Sequence, residues 1–329
     1  MKTEIFDVSV VIVSFNTRDL LRECLQILAK YADEVRYEVL VIDNASRDGS
    51  ADMITQEFPT AKLIRSPVNL GFAAANNIGF IQAVGRYVVL LNSDAFVTEH
   101  ALARAVSYMQ QHSDVGLAGA RLTGKNGEWQ PSARMFPSLL THFLTLSGLA
   151  AKYPQSRFFG QVDRTWANPD EIAEVDWVPG AFSIIRRDVL EQVGYFDENF
   201  FLYYEEVDLC RRIQKIGYRI LYLPEVTVIH LGGESSKTLN LEISSAGTQV
   251  MLWQMRSALL FFRKHYGRLS TWLWWQLENN WHRLREWKNA RVATPEAQMK
   301  ANYSKNWRKL LKQAWQDTQG GKISPPRPW

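Results

Sequence analysis

The chain lacks the features that define several large classes of protein. It has only 2 cysteines in 329 residues, Cys24 and Cys210, and each lies among apolar residues of a predicted helix. That placement favours buried, reduced thiols over a disulfide framework. Lys2, Glu4 and Asp7 interrupt any apolar start, so we expect no secretory leader. No uninterrupted apolar run approaches the ~20 residues that a membrane-spanning helix needs, and we expect a cytoplasmic protein.

Glycine-rich phosphate-binding loops are also missing. A dinucleotide-binding fold would show Gly-x-Gly-x-x-Gly after its first strand, but here the turn reads Ser14-Phe15-Asn16-Thr17-Arg18. No Walker-type Gly-x-x-x-x-Gly-Lys-Ser/Thr sequence occurs either. NAD-linked chemistry and P-loop phosphoryl transfer are therefore disfavoured. A nucleotidyltransferase is disfavoured for the same reason, because that class normally has a basic, Gly-rich loop after the first strand.

Apolar runs of strand length alternate with amphipathic helical patterns through the first half of the chain. The predicted strands are Val8–Ser14, Tyr37–Ile42, Ala61–Arg65, Tyr87–Leu91 and Val115–Ala120, with Val226–His230 following later. Strand–helix alternation of this kind predicts a parallel sheet with right-handed crossovers. Because 46% of the residues are hydrophobic, the chain can bury a substantial core around that sheet. The expected fold class is α/β.

Polar side chains stand where these predicted strands end. Ser14, Asp43, Asn92 and Asp94 all occupy such positions, at the sheet edge where α/β folds bind ligands. Asp43 could accept the ring N–H of a uracil or thymine base, and Asn44 could contact ribose or base. The alternative for Asn44 is a turn or helix cap, which is common for this residue type. Together the positions predict a ligand site at this edge.

Asp94 is also a candidate metal ligand. A diphosphate leaving group needs its growing charge neutralised, and Mg²⁺ or Mn²⁺ does this through carboxylate and phosphate oxygens. His230 ends the last predicted strand and could add a nitrogen ligand, which would favour Mn²⁺ over Mg²⁺. A lone histidine is more often structural, so both interpretations of His230 stay open.

An acidic cluster follows two tyrosines near the middle of the chain. Glu205, Glu206 and Asp208 precede the apolar stripe of a predicted helix. Helical spacing places Glu205 and Asp208 on one face and points Glu206 elsewhere. A carboxylate partly desolvated by Tyr203 and Tyr204 can have a raised pKa and act as a general base. The alternative for at least one acid is stabilisation of the helix dipole.

Six sequence stretches, taken in order, resemble a known family. They are Val10–Asn16, Val41–Ser50, Asn69–Gly79, Leu91–Asp94, Trp177–Ala181, and the block from Gly194 through Glu205–Leu209 to His230. Across about residues 8 to 236, the chain resembles the family 2 glycosyltransferases with the GT-A fold, and within them the bacterial rhamnosyltransferase-like group. The resemblance implies a mixed, mainly parallel sheet with flanking helices.

The resemblance also implies a reaction, the inverting transfer of a sugar from a nucleoside diphosphate donor. The implied acceptor is a saccharide or lipid-linked saccharide in cell-surface polysaccharide or lipopolysaccharide synthesis. dTDP-L-rhamnose is the favoured donor, and UDP-sugars stay open. A non-catalytic nucleotide-sugar-binding scaffold is the alternative, but the complete set of acids argues against it, since a binder needs no base.

Particular residues acquire roles from the resemblance. Glu206 is the implied general base, with Glu205 and Asp208 as alternatives. Asp94 and His230 would hold the divalent metal, Mg²⁺ or Mn²⁺, together with the diphosphate. The residues implied to bind the donor nucleotide are Ser14, Asn16, Asp43, Asn44, Asn77 and Asn92. The residues implied to contact the donor or acceptor sugar are Trp177, Gly180 and Ala181. A buried core position explains the tryptophan about as well.

The last part of the chain has a different composition. Residues 251–329 contain 15 lysines and arginines against 4 acids, a balance of +11 that leaves −7 for residues 1–250. They also hold 9 of the 12 tryptophans. We therefore divide the chain into a catalytic domain, residues 1–240, and a Trp-rich basic helical extension, residues 241–329. The first predicted apolar face of the extension contains Leu252, Met255, Leu259, Phe262 and Tyr266.

Two interpretations of this extension are open. Basic amphipathic helices with tryptophan are typical of an interfacial anchor on an anionic membrane. That interpretation predicts a peripheral protein on the inner face of the plasma membrane. Alternatively, the helices form a hairpin packed on the catalytic domain or on a partner subunit. We expect no nucleic-acid binding, because no recognised module occurs, and the sequence does not indicate the oligomeric state.

Overall fold

The computed structural model describes residues 6–32, 34–232 and 246–325. Its strands are β1 Val8–Ser14, β2 Tyr37–Asp43, β3 Lys62–Arg65, β4 Tyr87–Asn92, β5 Ala95–Val97, β6 Val115–Thr123, β7 Trp129–Gln130, β8 Ala173–Glu174, β9 Phe182–Arg186 and β10 Arg219–His230. They form one sheet in the order β3-β2-β1-β4-β9-β6-β10-β5, with β7 beside β6 and β8 beside β10.

The sheet is mixed and mainly parallel. β1 runs parallel to β2 and β4, and β6 runs parallel to β10, whereas β9 lies antiparallel between β4 and β6. The register aligns Ser14 with Asp43 and Val13 with Asn92. The carboxyl ends of β1, β2, β4 and β10 therefore meet at one edge of the sheet. This arrangement confirms the predicted fold class.

Helices cover both faces of the sheet. In the first 232 residues they are α1 Arg18–Tyr31, α2 Ser50–Glu57, α3 Phe72–Gln82, α4 Ala101–Gln111, α5 Leu139–Leu146, α6 Leu149–Lys152, α7 Arg187–Val193 and α8 Glu205–Lys215. Because side chains alternate along a strand, Val10 packs in one core with α1, α2 and α4, and Val11 packs in the other with α3, α7 and α8. Cys24 and Cys210 are buried thiols, one in each core, as predicted.

Two long helices form the C-terminal part of the described chain. α9 spans Ala246–Ala290 and α10 spans Pro295–Asp317. They run antiparallel, because Trp275 contacts Trp315 near one end while His282 stacks on Trp307 further along. The α9 backbone breaks at Gly267, whose φ of +82° lies in the left-handed region that favours glycine.

This helical pair packs on the sheet domain. A third core combines Leu252, Met255 and Leu259 of α9 with Phe200 and Val207, which flank the start of α8. The predicted apolar face is therefore buried, and the helices form a hairpin packed on the sheet domain. None of the helices in the described ranges combines the length and apolar character that crossing a bilayer requires. The predicted boundary between residues 240 and 241 lies outside the described residues.

Candidate active site

Two adjoining cavities open at the carboxyl edge of the sheet. The larger has a volume of about 810 Å³, and Asn16 and Asp43 contribute to its lining. The smaller, of about 270 Å³, is lined by the ends of β4 and β10 and by the start of α8. Phe15, Phe201 and Leu202 line both cavities. A single extended ligand can therefore occupy the two together.

Asp43 ends β2 inside the larger cavity and is 4% exposed. Its Oδ2 accepts a hydrogen bond from the Ser46 backbone N–H at 3.3 Å, whereas Oδ1 finds no partner among the described residues. Burial raises the pKa of this carboxyl group. A buried oxygen of this kind is available as the acceptor for a ring N–H of a ligand.

Two asparagines shape the loops around this carboxylate. Asn16, with a φ of +54°, accepts a hydrogen bond from the Arg47 backbone N–H at 2.7 Å. Asn44 lines the smaller cavity, donates to Asn69 Oδ1 at 3.0 Å and accepts from the Leu70 backbone N–H at 2.8 Å. Asn44 therefore uses its side chain mainly to hold the loop, as the turn interpretation predicts, although it remains at the cavity wall.

Asp94 and His230 face each other in the smaller cavity. Asp94 Oδ1 and His230 Nε2 are 3.6 Å apart. His230 Nδ1 lies 3.1 Å from the Gln130 Oε1 acceptor, so Nδ1 carries the proton and Nε2 presents a lone pair. Burial lowers the pKa of His230, against the opposing effect of Asp94, and so favours the neutral ring. Two acceptors facing each other fit a shared cation better than a direct hydrogen bond.

This pair would need further ligands from a bound molecule. Within the described residues, no group of three or more acids, histidines or cysteines is placed to hold a metal. Asn92 also lines the cavity, and its buried Oδ1 lacks a partner in the described part of the chain. Gly180 and Ala181 line it too, and the Ala181 carbonyl accepts from the Asn92 N–H at 3.1 Å. Diphosphate oxygens would complete the preferred coordination of a hard divalent cation.

Glu205 and Glu206 form a carboxyl pair at the start of α8, and both line the smaller cavity. Burial raises the pKa of both groups, more strongly for Glu205. The neighbouring Glu206 charge raises the pKa of Glu205 further. The positive charge of Arg134 also favours ionised Glu206. The pair therefore presents one carboxylate with increased proton affinity, as a general base requires.

Three residues predicted to contact the donor or a sugar are not among the described residues that line either cavity. Ser14 is buried, and its hydroxyl is hydrogen-bonded within the β1–α1 turn. Both amide atoms of Asn77 bind the Phe196 backbone, each at 2.9 Å. Trp177 donates from Nε1 to the Met135 carbonyl at 3.0 Å, and its ring packs against the core. Their polar atoms are bonded within the fold, so the structure places these three residues outside the site that the other predicted residues form.

Asp208 also lies outside the cavity linings, which corrects its candidacy as the base. Its Oδ1 is 2.7 Å from both Lys264 Nζ and His265 Nε2, and its Oδ2 is 2.8 Å from Arg212 Nε. Burial alone would raise its pKa, but these partners outweigh burial and hold the pKa well below its usual range. Helical spacing does not give Glu205 and Asp208 the same surroundings. Glu205 is the first residue of α8, where the preceding loop places it at the cavity, whereas Asp208 faces α9.

Several site residues were not apparent from the sequence. Gln249, Val250 and Trp253 of α9 line the larger cavity. Gln130 orients the ring of His230, and Arg134 influences Glu206 from a separate loop. The apolar spacing in α9 predicts a buried face near Trp253. No local signal indicates that this face covers a ligand cavity, because the contact joins segments far apart in the chain.

Comparisons with known sequences identify the family. The profile of glycosyl transferase family 2 matches residues 9–194. The chain is 29% identical over 210 residues to N-acetylglucosaminyl-diphospho-decaprenol L-rhamnosyltransferase of Mycobacterium tuberculosis, covering 60% of this chain and 68% of that protein. It is 25% identical over 270 residues to rhamnosyltransferase WbbL of Escherichia coli, covering 78% of this chain and 93% of that protein.

Solved structures share the fold. Mannosyltransferase PcManGT of Pyrobaculum calidifontis, solved with GDP-Man and Mn²⁺, aligns with a TM-score of 0.51 and 18% identity over 94% of this chain and 85% of its own. GalNAc-T7, solved with UDP, GalNAc and Mn²⁺, aligns with a TM-score of 0.57 and 15% identity over 98% and 59%. The fold is GT-A, and because the family profile spans more than half of the sequence, the chain belongs to glycosyl transferase family 2.

Proposed function

We propose that this chain is an inverting, metal-dependent glycosyltransferase with a nucleoside diphosphate sugar as donor and a saccharide or lipid-linked saccharide as acceptor. The observation that carries the proposal is the meeting of Glu206, Asp94 and His230 in one cavity that adjoins Asp43. The relatives' names support transfer of a rhamnosyl group, and we propose dTDP-L-rhamnose as donor, with UDP-sugars as the alternative. The name of a further relative, O-antigen biosynthesis protein RfbC of Myxococcus xanthus, supports a role in cell-surface polysaccharide or lipopolysaccharide synthesis.

The chemistry assigns a task to each of these side chains. Asp43 accepts the ring N–H of the base in the larger cavity. Glu206 takes the proton of the acceptor hydroxyl while the hydroxyl oxygen attacks the anomeric carbon. The bond between that carbon and the diphosphate breaks, and the nucleoside diphosphate leaves with the bonding electrons. Because attack comes from the face opposite the diphosphate, one displacement inverts the configuration. Glu205 lies beside the base in the same cavity, and burial raises its pKa well above the ordinary value.

The donor set at Asp94 and His230 fits a divalent cation, Mn²⁺ or Mg²⁺, which when bound would stabilise the charge on the departing diphosphate. Gln130 fixes the tautomer of His230 so that Nε2 is available as a ligand. Asn92 Oδ1 is positioned in the same cavity to accept a hydrogen bond from a ribose or sugar hydroxyl.

A donor screen tests the proposal. The purified protein is incubated with Mn²⁺ or Mg²⁺ and a panel of dTDP- and UDP-sugars, with and without lipid-diphosphate acceptors. We expect release of nucleoside diphosphate, greatest with dTDP-L-rhamnose and acceptor together. Glu206→Gln should abolish release while retaining donor binding, because the amide keeps the shape but cannot take a proton. Donor binding by the wild-type chain without turnover under every condition would instead favour the scaffold.

We also propose that the outer face of α9 rests on an anionic membrane. Five large apolar side chains remain exposed there, Leu269, Trp272, Leu273, Leu284 and Trp287. They recur at helical spacing on the face opposite α10, and exposed basic residues border them. Those basic residues are Arg268, Arg283 and Lys288. A basic face with tryptophan and leucine is the composition of helices that lie in the membrane interface.

Vesicle flotation with surface variants tests this second proposal. Removing the whole extension would expose the third core, so point substitutions are the cleaner test. The double variant Leu273→Ser/Trp287→Ser should lose binding to vesicles rich in phosphatidylglycerol. The matched control is Ile81→Ser on α3, because Ile81 is an isolated apolar residue with 63% exposure. Equal flotation of the double variant and the control would reject the anchor.

A further inference from the structure

We infer that one face of α9 holds the loop of residues 200–204, so that Glu205 and Glu206 point into the smaller cavity. Trp253, Ser257 and His265 are then positioning residues for glycosyl transfer, and the helical extension is a working part of the active site. This inference rests on the proposed function for its catalytic meaning. The contacts on which it depends are independent of the identity of the donor.

The 200–204 loop has a strained backbone directly before the carboxyl pair. Tyr203 and Tyr204 have φ values of +68° and +70°, in the left-handed region that residues with a Cβ rarely adopt. Such conformations persist only where surrounding structure holds them, and they cluster at functional sites. Two in succession set the direction in which α8 begins, and therefore the direction of its first two side chains. The loop needs external support to keep this shape.

The sheet domain supplies part of that support at Phe201. The Phe201 carbonyl accepts a hydrogen bond from the Phe72 N–H at 2.8 Å, at the start of α3. Gly71 makes this approach possible, because a Cβ there would lie 2.4 Å from the Phe201 oxygen. This contact fixes the beginning of the loop. It does not reach the two strained tyrosines.

α9 supplies the next two contacts. The Trp253 ring stacks on the Phe201 ring, with centroids 4.4 Å apart and planes 29° apart. One helical turn later, Ser257 Oγ donates to the Leu202 carbonyl at 2.8 Å, and Ser257 is 1% exposed. The stacking restrains a side chain of the loop and the hydrogen bond restrains its backbone. Phe201 and Leu202 line both cavities, so the restraint acts at the site itself.

Further along the same face, α9 holds the end of the loop and the first turn of α8. Phe261 contacts the Tyr204 ring, with centroids 5.3 Å apart. Lys264 and His265 bind the buried Asp208 carboxylate, each at 2.7 Å. The positions 253, 257, 261, 264 and 265 follow the helical period, so a single face makes all these contacts. Asp208 therefore acts through position, as the anchor that joins α8 to α9.

The same face of α9 also closes the larger cavity. Gln249, Val250 and Trp253 line it together with Asp43. The Arg256 guanidinium also contacts the Trp253 ring, 4.5 Å from its centroid. A change at Trp253 should therefore affect both donor binding and the placement of the base. A purely structural tryptophan elsewhere in the extension should affect neither.

Two measurements on variants of the full chain test the inference. We compare kcat and donor KM, and we follow hydrogen–deuterium exchange of the segment 198–209 without substrate. Trp253→Ala should lower kcat on the order of 10²-fold, the effect expected of a small misplacement of a catalytic group, and should accelerate exchange in that segment. Trp253→Phe keeps a ring on Phe201 and should restore most of kcat. Ser257→Ala should show the same two effects more weakly.

Trp275→Ala is the matched control. Trp275 is a half-buried tryptophan of α9 that contacts Trp315 and the Leu311 carbonyl rather than the 200–204 loop. It should lower Tm yet leave kcat and the exchange of segment 198–209 unchanged. The inference is overturned if Trp253→Ala and Ser257→Ala lower Tm as Trp275→Ala does, with wild-type kcat and exchange. If Trp253→Ala does not fold, Ser257→Ala decides alone.

Different results would refute the proposed function and the positioning role of α9. Absence of nucleoside diphosphate release from the wild-type chain with every donor would refute the proposed function. The exchange measurement needs no donor and would still decide whether α9 restrains the loop. An active wild-type enzyme with unaffected Ser257→Ala and Trp253→Ala variants would refute only the positioning role.

Discussion

Two buried glutamates, one in each region of the molecule, have opposite surroundings. Glu205 of the sheet region is 3% exposed and Glu278 of α9 is 4% exposed. Glu205 lines a cavity, and its Oε2 finds no partner within the residues described. Glu278 accepts from Trp307 Nε1 at 3.0 Å and lies 3.0 Å from His142 Nε2. The first acid is available to a ligand, whereas the second is bound into the structure.

This difference separates the tasks of the two regions. An unsatisfied buried acid lowers the stability of the fold, and such groups are retained mainly at active sites. Rigid surroundings are needed to keep the acid in that position. Here the sheet edge presents the acids and α9 supplies rigid support for the loop before them. The opposite charges of the two parts, −7 for residues 1–250 and +11 for residues 251–329, fit a donor site and a scaffold with a basic outer surface.

The largest expected difference in kcat is between the same substitution, Glu to Gln, made at Glu206 and at Glu278. Glu206→Gln should lower kcat about 10²–10⁴-fold, the usual contribution of a general base, with Tm unchanged or higher because an ionised buried group is removed. Glu278→Gln should leave kcat unchanged and lower the free energy of unfolding by about 1–3 kcal/mol, because the amide keeps one acceptor oxygen and turns an N–H toward either Trp307 or His142. Steady-state kinetics and thermal unfolding measure both. Loss of kcat in Glu278→Gln together with wild-type kcat in Glu206→Gln would contradict the separate tasks of the two regions.

Asp208 lies at the contact between the two regions, where it binds Lys264 and His265 of α9. Asp208→Asn should lower the free energy of unfolding by roughly 1–3 kcal/mol, because the Lys264 ammonium and the Arg212 guanidinium lose their buried counterion. The pKa of Asp208 in the folded chain lies below the ordinary value of 3.8, so its stabilisation is present above that value and is lost as pH falls below it. In urea unfolding, the free energy of unfolding should therefore fall less between neutral and acid pH for the variant than for the wild-type chain. Equal acid sensitivity would contradict this role.

The smallest expected effect concerns metal binding. Gln130→Ala should weaken Mn²⁺ binding about 10–100-fold in the presence of donor, because His230 loses the group that fixes its tautomer. Gln276→Ala, a glutamine-to-alanine change in the helical region, is the control and should bind Mn²⁺ as the wild-type chain does. Isothermal titration calorimetry measures both. Unchanged affinity in Gln130→Ala would remove His230 from the metal site.

The sheet and its ligand edge are accessible to prediction because local patterns determine them. Apolar runs such as Val8–Ser14 show strands, and parallel pairing then requires their carboxyl ends to meet. That reasoning locates Asp43, Asn92 and Asp94 at one edge without tertiary information. A predicted strand end adds His230 and the acidic cluster adds Glu205 and Glu206, and the structure brings these three to the cavity that Asp94 lines.

The residues that the sequence places in the site but the structure does not are those whose contacts lie far away along the chain. The resemblance implies that Asn77 binds the donor nucleotide, but its amide is bonded to the backbone of Phe196, 119 positions away. Asp208 shares a helical face with Glu205 by spacing, yet its surroundings are set by Lys264 and His265 of α9. Apolar spacing in a sequence predicts that a helical face is buried. Which segment packs against that face depends on the tertiary structure.

A crystal structure of the wild-type chain with Mn²⁺ and an unreactive donor analogue would show whether distant polar groups converge on one metal-bound diphosphate. We expect an anomalous Mn²⁺ peak between Asp94 and His230, the nucleobase against Asp43, and Glu206 on the side of the anomeric carbon opposite the diphosphate. A peak away from this pair, or a nucleotide bound outside the two cavities, would contradict it.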